Sequence, residues 1–300
     1  MQANERRFRA ADILYLSMMV VPFLVAIVLK VLFTPASEGI SITGALVYFT
    51  IPMPLQDFPV SEATVNSLFV VIAILGLCLY MTHGIRAGVP TKRQLLAEWI
   101  VEKLDSMTRE SMGEFFAGFA PFVAAILALS ALSSLSSLLG LFPPTSDVNI
   151  VAGWAILVFA LITYFKLKGG LGNYLKGFLE PIPVMLPLNI LGEVATPVSM
   201  TFRHYGNVLS GSVIAVLIAT ALQGLSSLVL GWLPGILGDF PLFRIGIPAV
   251  LSLYFDIFSG CMQAYIFAML TMLNISGGFP QDLYEERLRK KAAKKQATAK

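Results

Sequence analysis

The sequence predicts an all-α membrane protein, with about six membrane helices and one amphipathic helix on the inner surface. Three observations carry this. Of the 300 residues, 56% are apolar and 13% charged, where a soluble domain carries roughly 25% charged residues. Several uncharged runs exceed the ~18 residues that mark a spanning helix. Although the net charge is only +3, Lys and Arg gather in particular loops, as the positive-inside rule requires. We read one membrane domain: residues 1–64 form an additional first helix and outer loop, 65–276 the core, and 277–300 a basic cytoplasmic tail.

In chain order, Arg6, Arg7 and Arg9 precede an apolar run from Ile13 to Phe33. That run is longer than a typical signal-peptide h-region, and Thr34-Pro35-Ala36 is a poor cleavage site. A retained first helix with its amino terminus inside is preferred to a cleaved signal. From Thr34 to Glu62 there is no Lys or Arg, and Glu38, Asp57 and Glu62 appear with several prolines, which suits an outer loop. The second span runs from Val65 to Thr82, followed by the inner-side cations Arg86, Lys92 and Arg93. Leu96, Ile100, Leu104 and Met107 then stand opposite Glu98, Glu102, Asp105 and Arg109, an amphipathic pattern that starts at Pro90-Thr91 and suits the membrane surface or a partner.

The third span, Phe115 to Phe142, is rich in Ala and Ser, which favours close helix packing, and Pro143-Pro144-Thr145 turns the chain. Asp147 and Asn149 open the fourth span, Ile150 to Phe165. Two readings stand for them: capping of that helix, or shaping of an outer vestibule. Lys166, Lys168 and Lys176 return the chain to the inner side through a glycine-rich, pliable loop. Two longer apolar stretches remain, Pro183 to Trp232 and Pro241 to Ser276, separated by Leu233-Pro234-Gly235 and Asp239. As continuous helices they would reach about 70 and 50 Å against a hydrocarbon core of ~30 Å. They either break, with Pro197 and Gly224 as weak points of the first, or lie strongly tilted as a hairpin. Tilting is the simpler solution.

Arg203 lies inside the first of these stretches. An Arg at the centre of a spanning helix costs about 2.5 to 3.5 kcal/mol, so it needs a partner or a water-filled cavity and marks a functional site. At helical periodicity Thr196, Ser199, Arg203, Asn207 and Ser210 share one face, with Gly206 and Gly211 beside it for close backbone approach. That stripe serves either helix association alone or an ion route, and the cost of the charge favours the route. On the last stretch Ser252, Asp256, Ser259, Gly260 and Gln263 fall on one face. A carboxylate cannot stay charged in lipid unless water or a cation reaches it, so Asp256 is either a protonated buried acid or part of a wet path.

Other chemistries lack their residues. The two cysteines, Cys78 and Cys261, lie in apolar runs and imply no disulfide. The two histidines, His83 and His204, form no zinc motif, and G-x-S-x-G, a P-loop and G-x-G-x-x-G are absent, so we expect no catalytic site, metal or cofactor. Apart from the basic tail, which is either held by anionic lipid or simply solvated, nothing suggests nucleic-acid binding.

Three ordered motifs resemble subunit a of F-type ATP synthases. They are Pro197-Val198-Ser199-Met200-Thr201-Phe202-Arg203-His204-Tyr205-Gly206-Asn207 with Gly211; Leu138-Leu139-Gly140-Leu141-Phe142-Pro143 with Pro144-Thr145-Ser146-Asp147-Val148-Asn149; and Gln263-Ala264-Tyr265-Ile266-Phe267 with Leu270-Thr271. The resemblance covers Val65 to Ile275. It implies a non-catalytic stator subunit that couples H⁺ or Na⁺ flow to rotation of a c-ring through two offset half-channels. The implied partners are the c-ring, the peripheral-stalk subunit b and the rest of the complex, in a bacterial plasma membrane with both termini cytoplasmic. By this resemblance Arg203 faces the ring's carboxylates, Gln263 is its neighbour on the last helix, and Asn207 and Ser199 line the path. Asp256 is the candidate relay of the outer half-channel, and Glu193 serves the inner one.

The sequence departs from the family at three places. Ser212 replaces a common Glu, which leaves Asp256 without the usual partner on the preceding helix. His204 stands where Leu is common, and either titrates or packs against a loop. The first helix is additional to the five-span pattern of many bacterial relatives. The rival class is a stand-alone cation-coupled secondary transporter, which predicts an internal repeat that the sequence lacks. An intramembrane protease would need a general base that only His204 could provide.

Overall fold

Each apolar run becomes a helix whose ends are written in its flanking residues. The computed structural model describes residues 2–34, 44–54, 56–85, 90–179, 182–232, 253–282 and 284–286, with single positions 243, 246, 250, 251 and 289. The expected breaks at Leu233-Pro234-Gly235 and Asp239, the loop cation Arg86, Ser252 of the last stripe and most of the basic tail lie outside them. Among the described residues six helices are long and apolar enough to cross a membrane: 10–33, 62–82, 114–139, 148–168, 183–230 and 254–277.

Helix α1 (Gln2–Phe33) packs along α2 (Glu62–Thr82). The two backbones meet at Gly76, where a Cβ would lie 2.9 Å from both Met18 Cβ and Tyr15 O, so any side chain there would force them apart. Ser61 caps α2 by accepting the Thr64 N–H at 3.3 Å. Between α1 and α2 the outer loop forms a two-stranded antiparallel ribbon, β1 (Val47–Ile51) with β2 (Phe58–Ser61). The sequence reading contained no strand. This ribbon is the only departure from the all-α class among the described residues.

Thr91 caps α3 (Lys92–Met112) through the Gln94 N–H, and Gly113, at φ +84°, ends it in a conformation that other residues rarely adopt. The face of α3 that packs inward is Gln94, Thr108 and Met112; Leu96 and Ile100, expected to meet the membrane surface or a partner, are not part of it. Those two, with Leu95, Trp99 and Val101, are exposed. The third span is α-helical only over α4 (Ala120–Leu135) and tightens to 3₁₀ turns at both ends, stopping at Gly140 in the left-handed region. Its serines give the expected close packing: a Cβ on Gly260 would stand 2.9 Å from Ser134 Cβ.

Asp147 caps α5 (Val148–Lys168) by accepting the Asn149 N–H at 2.9 Å. The loop expected to be pliable instead winds into a short helix, α6 (Leu171–Leu179). Next comes α7 (Leu186–Leu230), 45 residues without a break, so neither Pro197 nor Gly224 interrupts it. At 1.5 Å per residue it is about 67 Å long, twice the hydrocarbon core. A π-helical segment, Tyr254–Ser259, leads into α8 (Gly260–Gly277). The apolar core lies among α4, α5 and α8, around Val123, Ile126, Val158, Phe165, Phe267 and Met272, with α7 contributing Met200.

Candidate functional site

Helix α7 leaves most of its length uncovered: Met200, Thr201, His204, Gly211 and Ser226 are its buried residues. The predicted stripe lies on the uncovered side, with Ser199, Arg203, Asn207 and Ser210 exposed and Thr196 half-buried. Arg203 makes no ion pair with any described residue. Its charge is therefore presented outward from the chain, where an uncompensated guanidinium in lipid demands a partner. Beside it, Gly206 has no atom within reach of an added Cβ, while Gly211 faces the Phe255 ring at 3.4 Å. The approach expected at these glycines is thus a ring on one and open space on the other.

One turn beyond Arg203, Asn207 Nδ2 donates to Gln263 Oε1 at 2.7 Å. This bond joins the first and third motifs across 56 residues of sequence. Gln263 is 2% exposed, so its acceptor depends on that contact. Toward the end of the molecule expected to be outer, Asn207, Ser212 and Asp256 line one cavity of about 560 Å³. Its wall also contains Ser137, which is within hydrogen-bonding reach of Asp256. The π turn that holds Asp256 widens the helix locally, a distortion that frequently marks functional positions. A second cavity of about 780 Å³ holds Asp147 and Asn149 and shares Gly44, Phe142, Ser146 and Tyr205 with the first. Asp147 therefore caps α5 and lines a cavity at once.

On the opposite side of Arg203, Glu193 accepts both contacts of a bidentate bond from Lys166 Nζ, at 2.7 and 2.8 Å. The pair lines a cavity of about 260 Å³ with Thr196 and Asn274. Tyr174 of α6 reaches the same carboxylate, and burial, with the Glu193 charge added to it, pushes its phenol up. Along α7, Glu193 and Ser212 lie about 15 and 13 Å from Arg203 at the helical rise. Two cavities, each with polar side chains in its wall, thus open at different heights along α7, one on either side of the guanidinium.

His204 is fully buried on the other face of α7, away from Arg203. Its Nε2 is 3.3 Å from Ser130 Oγ, and its ring meets Trp154 and Phe267 edge-on. It packs against helices, not against a loop. Its Nδ1 has no hydrogen-bond partner among the described residues. Among the polar residues at these cavities, the sequence points to Lys166 only as a loop cation and does not single out Ser137, Asn274, Tyr205 or Lys30. Lys30 carried a visible signal, a lone cation near the end of the first apolar run.

The family model described as ATP synthase A chain matches residues 64–276. Similar proteins include the ATP synthase subunit a of Acidothermus cellulolyticus, 30% identical over 222 residues, which cover 71% of this chain and 74% of the relative. That of Bacillus pumilus is 32% identical over 70% of this chain and 90% of its own. The "ATP synthase subunit a, sodium ion specific" of Propionigenium modestum is 26% identical over 82% of this chain and 88% of its own.

Proposed function

The chain belongs to the ATP synthase A chain family, and on that premise we propose how it works. It is the ion-translocating membrane stator subunit of a rotary F-type ATP synthase, with Arg203 as the fixed charge that separates two ion routes. The outer route runs from the vestibule at Asp147 and Asn149 past Ser212 and Asp256 to Asn207 and Gln263. The inner route runs past Glu193 and Ser199. The observation that carries this reading is the exposed Arg203, without an ion pair among the described residues, with a cavity containing polar side chains toward each end of the same helix.

Arginine cannot give up its proton in a protein, so it acts as a gate and not as a relay. A ring carboxylate that comes opposite Arg203 is stabilised in its charged form and releases its ion to one route. Beyond Arg203 it is reloaded from the other route before it re-enters lipid, where a bare charge is prohibitive. Rotation is thereby tied to loading. Each elementary charge that crosses contributes about 2.3 kcal/mol per 100 mV.

The c-ring faces the uncovered side of α7, which lies strongly tilted to fit the bilayer and pairs with the last helix as a hairpin. The peripheral-stalk subunit b and lipid share the remaining surface, including the exposed Leu95, Trp99 and Val101 of α3. The single membrane domain sits in a bacterial plasma membrane with both termini in the cytoplasm, as the clusters at Arg6–Arg9, Lys166–Lys176 and the basic tail support.

The test is the whole complex in vesicles carrying Arg203→Ala. Coupled ATP synthesis is expected to disappear while subunit composition stays normal; normal synthesis in the variant overturns the reading. The same vesicles, run with protons and with Na⁺ as alternative coupling ions, identify which ion the enzyme uses.

A further inference from the structure

We propose that α1 supplies the outer ion route with a fixed cation, Lys30, whose charge sets how readily that route takes up the coupling ion. This helix lies outside the stretch shared with the family model, yet Lys30 lines the same cavity as Asp256, Asn207 and Ser212. Its ammonium donates to the Gly140 carbonyl at 2.7 Å and stands 3.4 Å from Glu62 Oε1. An ammonium has three donors, and the remaining one has no partner among the described residues.

The surroundings make this a built arrangement. Glu62 is 3% exposed and also accepts the Phe142 N–H at 3.1 Å, while Asn66, equally buried, donates to the Phe142 carbonyl at 2.9 Å. Lys30, Glu62 and Asn66 thus hold the 140–142 turn, which forms part of the cavity wall. Helix α1 is pinned at its other end as well, where Asp12 lies 3.0 Å from both His83 Nδ1 and Arg93. Between the two ends it is pressed against Gly76.

The charge balance gives the direction of the effect. The ionisable groups in the cavity wall are Lys30, Tyr205 and Asp256; Glu62 stands behind Lys30, and Tyr48 of the ribbon stands near Glu62. Lys30 is therefore the one cation among the described wall residues. A fixed positive charge in a poorly screened cavity opposes the entry of a second cation and favours its release from a neighbouring acid. Glu62 offsets part of that charge, so Lys30 tunes the route without closing it.

The inference rests on the assignment of this cavity to the outer route. It is tested with the whole complex in vesicles whose two faces are buffered separately, reading the outer ion concentration that half-saturates ATP synthesis and the inner ion concentration that halves it. Lys30→Met is expected to lower the outer half-saturating concentration by about three- to tenfold and leave the inner value unchanged. Lys30→Arg keeps both within twofold. The double variant Lys30→Met/Glu62→Gln leaves no buried charge unpaired, so it assembles even where the single variant does not; its outer value shifts the same way by a smaller factor. Unchanged outer values, equal shifts on both faces, or failure of both variants to assemble overturn the inference and leave Lys30 a packing residue. Asp256→Asn is the control: if it too leaves the outer value untouched, the cavity is not the outer route and the underlying reading fails.

Discussion

The contact between Asn207 and Gln263 lies on the proposed ion path, and it can be tested at the level of single side chains. Gln263 is buried and takes its acceptor contact from Asn207, so Asn207→Leu strands a buried carbonyl oxygen. Leaving such a group unsatisfied costs about 1 to 3 kcal/mol, whereas replacing both partners with apolar groups is close to neutral. Asn207→Leu is thus expected to lower the thermal stability of the complex, and Asn207→Leu/Gln263→Leu to restore most of it. A double-mutant cycle that gives additive effects would show that the bond contributes nothing. Both variants are expected to lose ion translocation, because the path needs the polar groups even where the fold does not. The Lys166–Glu193 pair obeys the same physics at the other cavity: both side chains are more than half buried, and removal of one leaves the other's charge uncompensated.

At the scale of elements, glycines set how closely the helices approach, and this part of the fold has the sharpest steric test. A side chain at Gly76 would collide with α1 at 2.9 Å, and one at Gly260 with Ser134 of α4 at the same distance. Gly76→Leu is expected to lift α1 from α2, and Gly260→Leu to part α8 from α4, each costing about 1 to 3 kcal/mol as an overpacked contact. The measurement is thermal release of subunit a from the purified complex, with Gly118→Ala, in open space, as the neutral control. Wild-type stability in both bulky variants would contradict the packing described. Such contacts show what a sequence conceals. The spans and the caps at Thr91 and Asp147 were legible because hydropathy and Thr and Asp capping act locally, whereas the Ser61 cap of α2 was not singled out. The β ribbon, α6 and the π turn at Asp256 were not legible, since tertiary packing decides whether a Pro- or Gly-rich stretch is loop, strand or helix.

For the whole molecule the legible part was the line of polar residues on α7, because the cost of Arg203 in lipid singles it out from any single-chain reading. What stayed hidden was the pairing across helices: Lys166 is 27 residues from Glu193, and Lys30 is 110 from Gly140. No periodicity connects them. Their arrangement gives the molecule two cavities on either side of Arg203, and hence a sidedness that can be measured directly. Cys78 and Cys261 are exposed, so they are first replaced by Ser, and new cysteines are placed at Ser212 in one cavity and Thr196 in the other. A membrane-impermeant thiol reagent added outside is expected to label Ser212→Cys and spare Thr196→Cys; added inside, it is expected to do the reverse. Labelling of either is expected to slow ion flow, because each modified side chain then fills its own route. Labelling of both from one face would mean a continuous pore, and a continuous pore dissipates the gradient that a rotary stator must hold across Arg203.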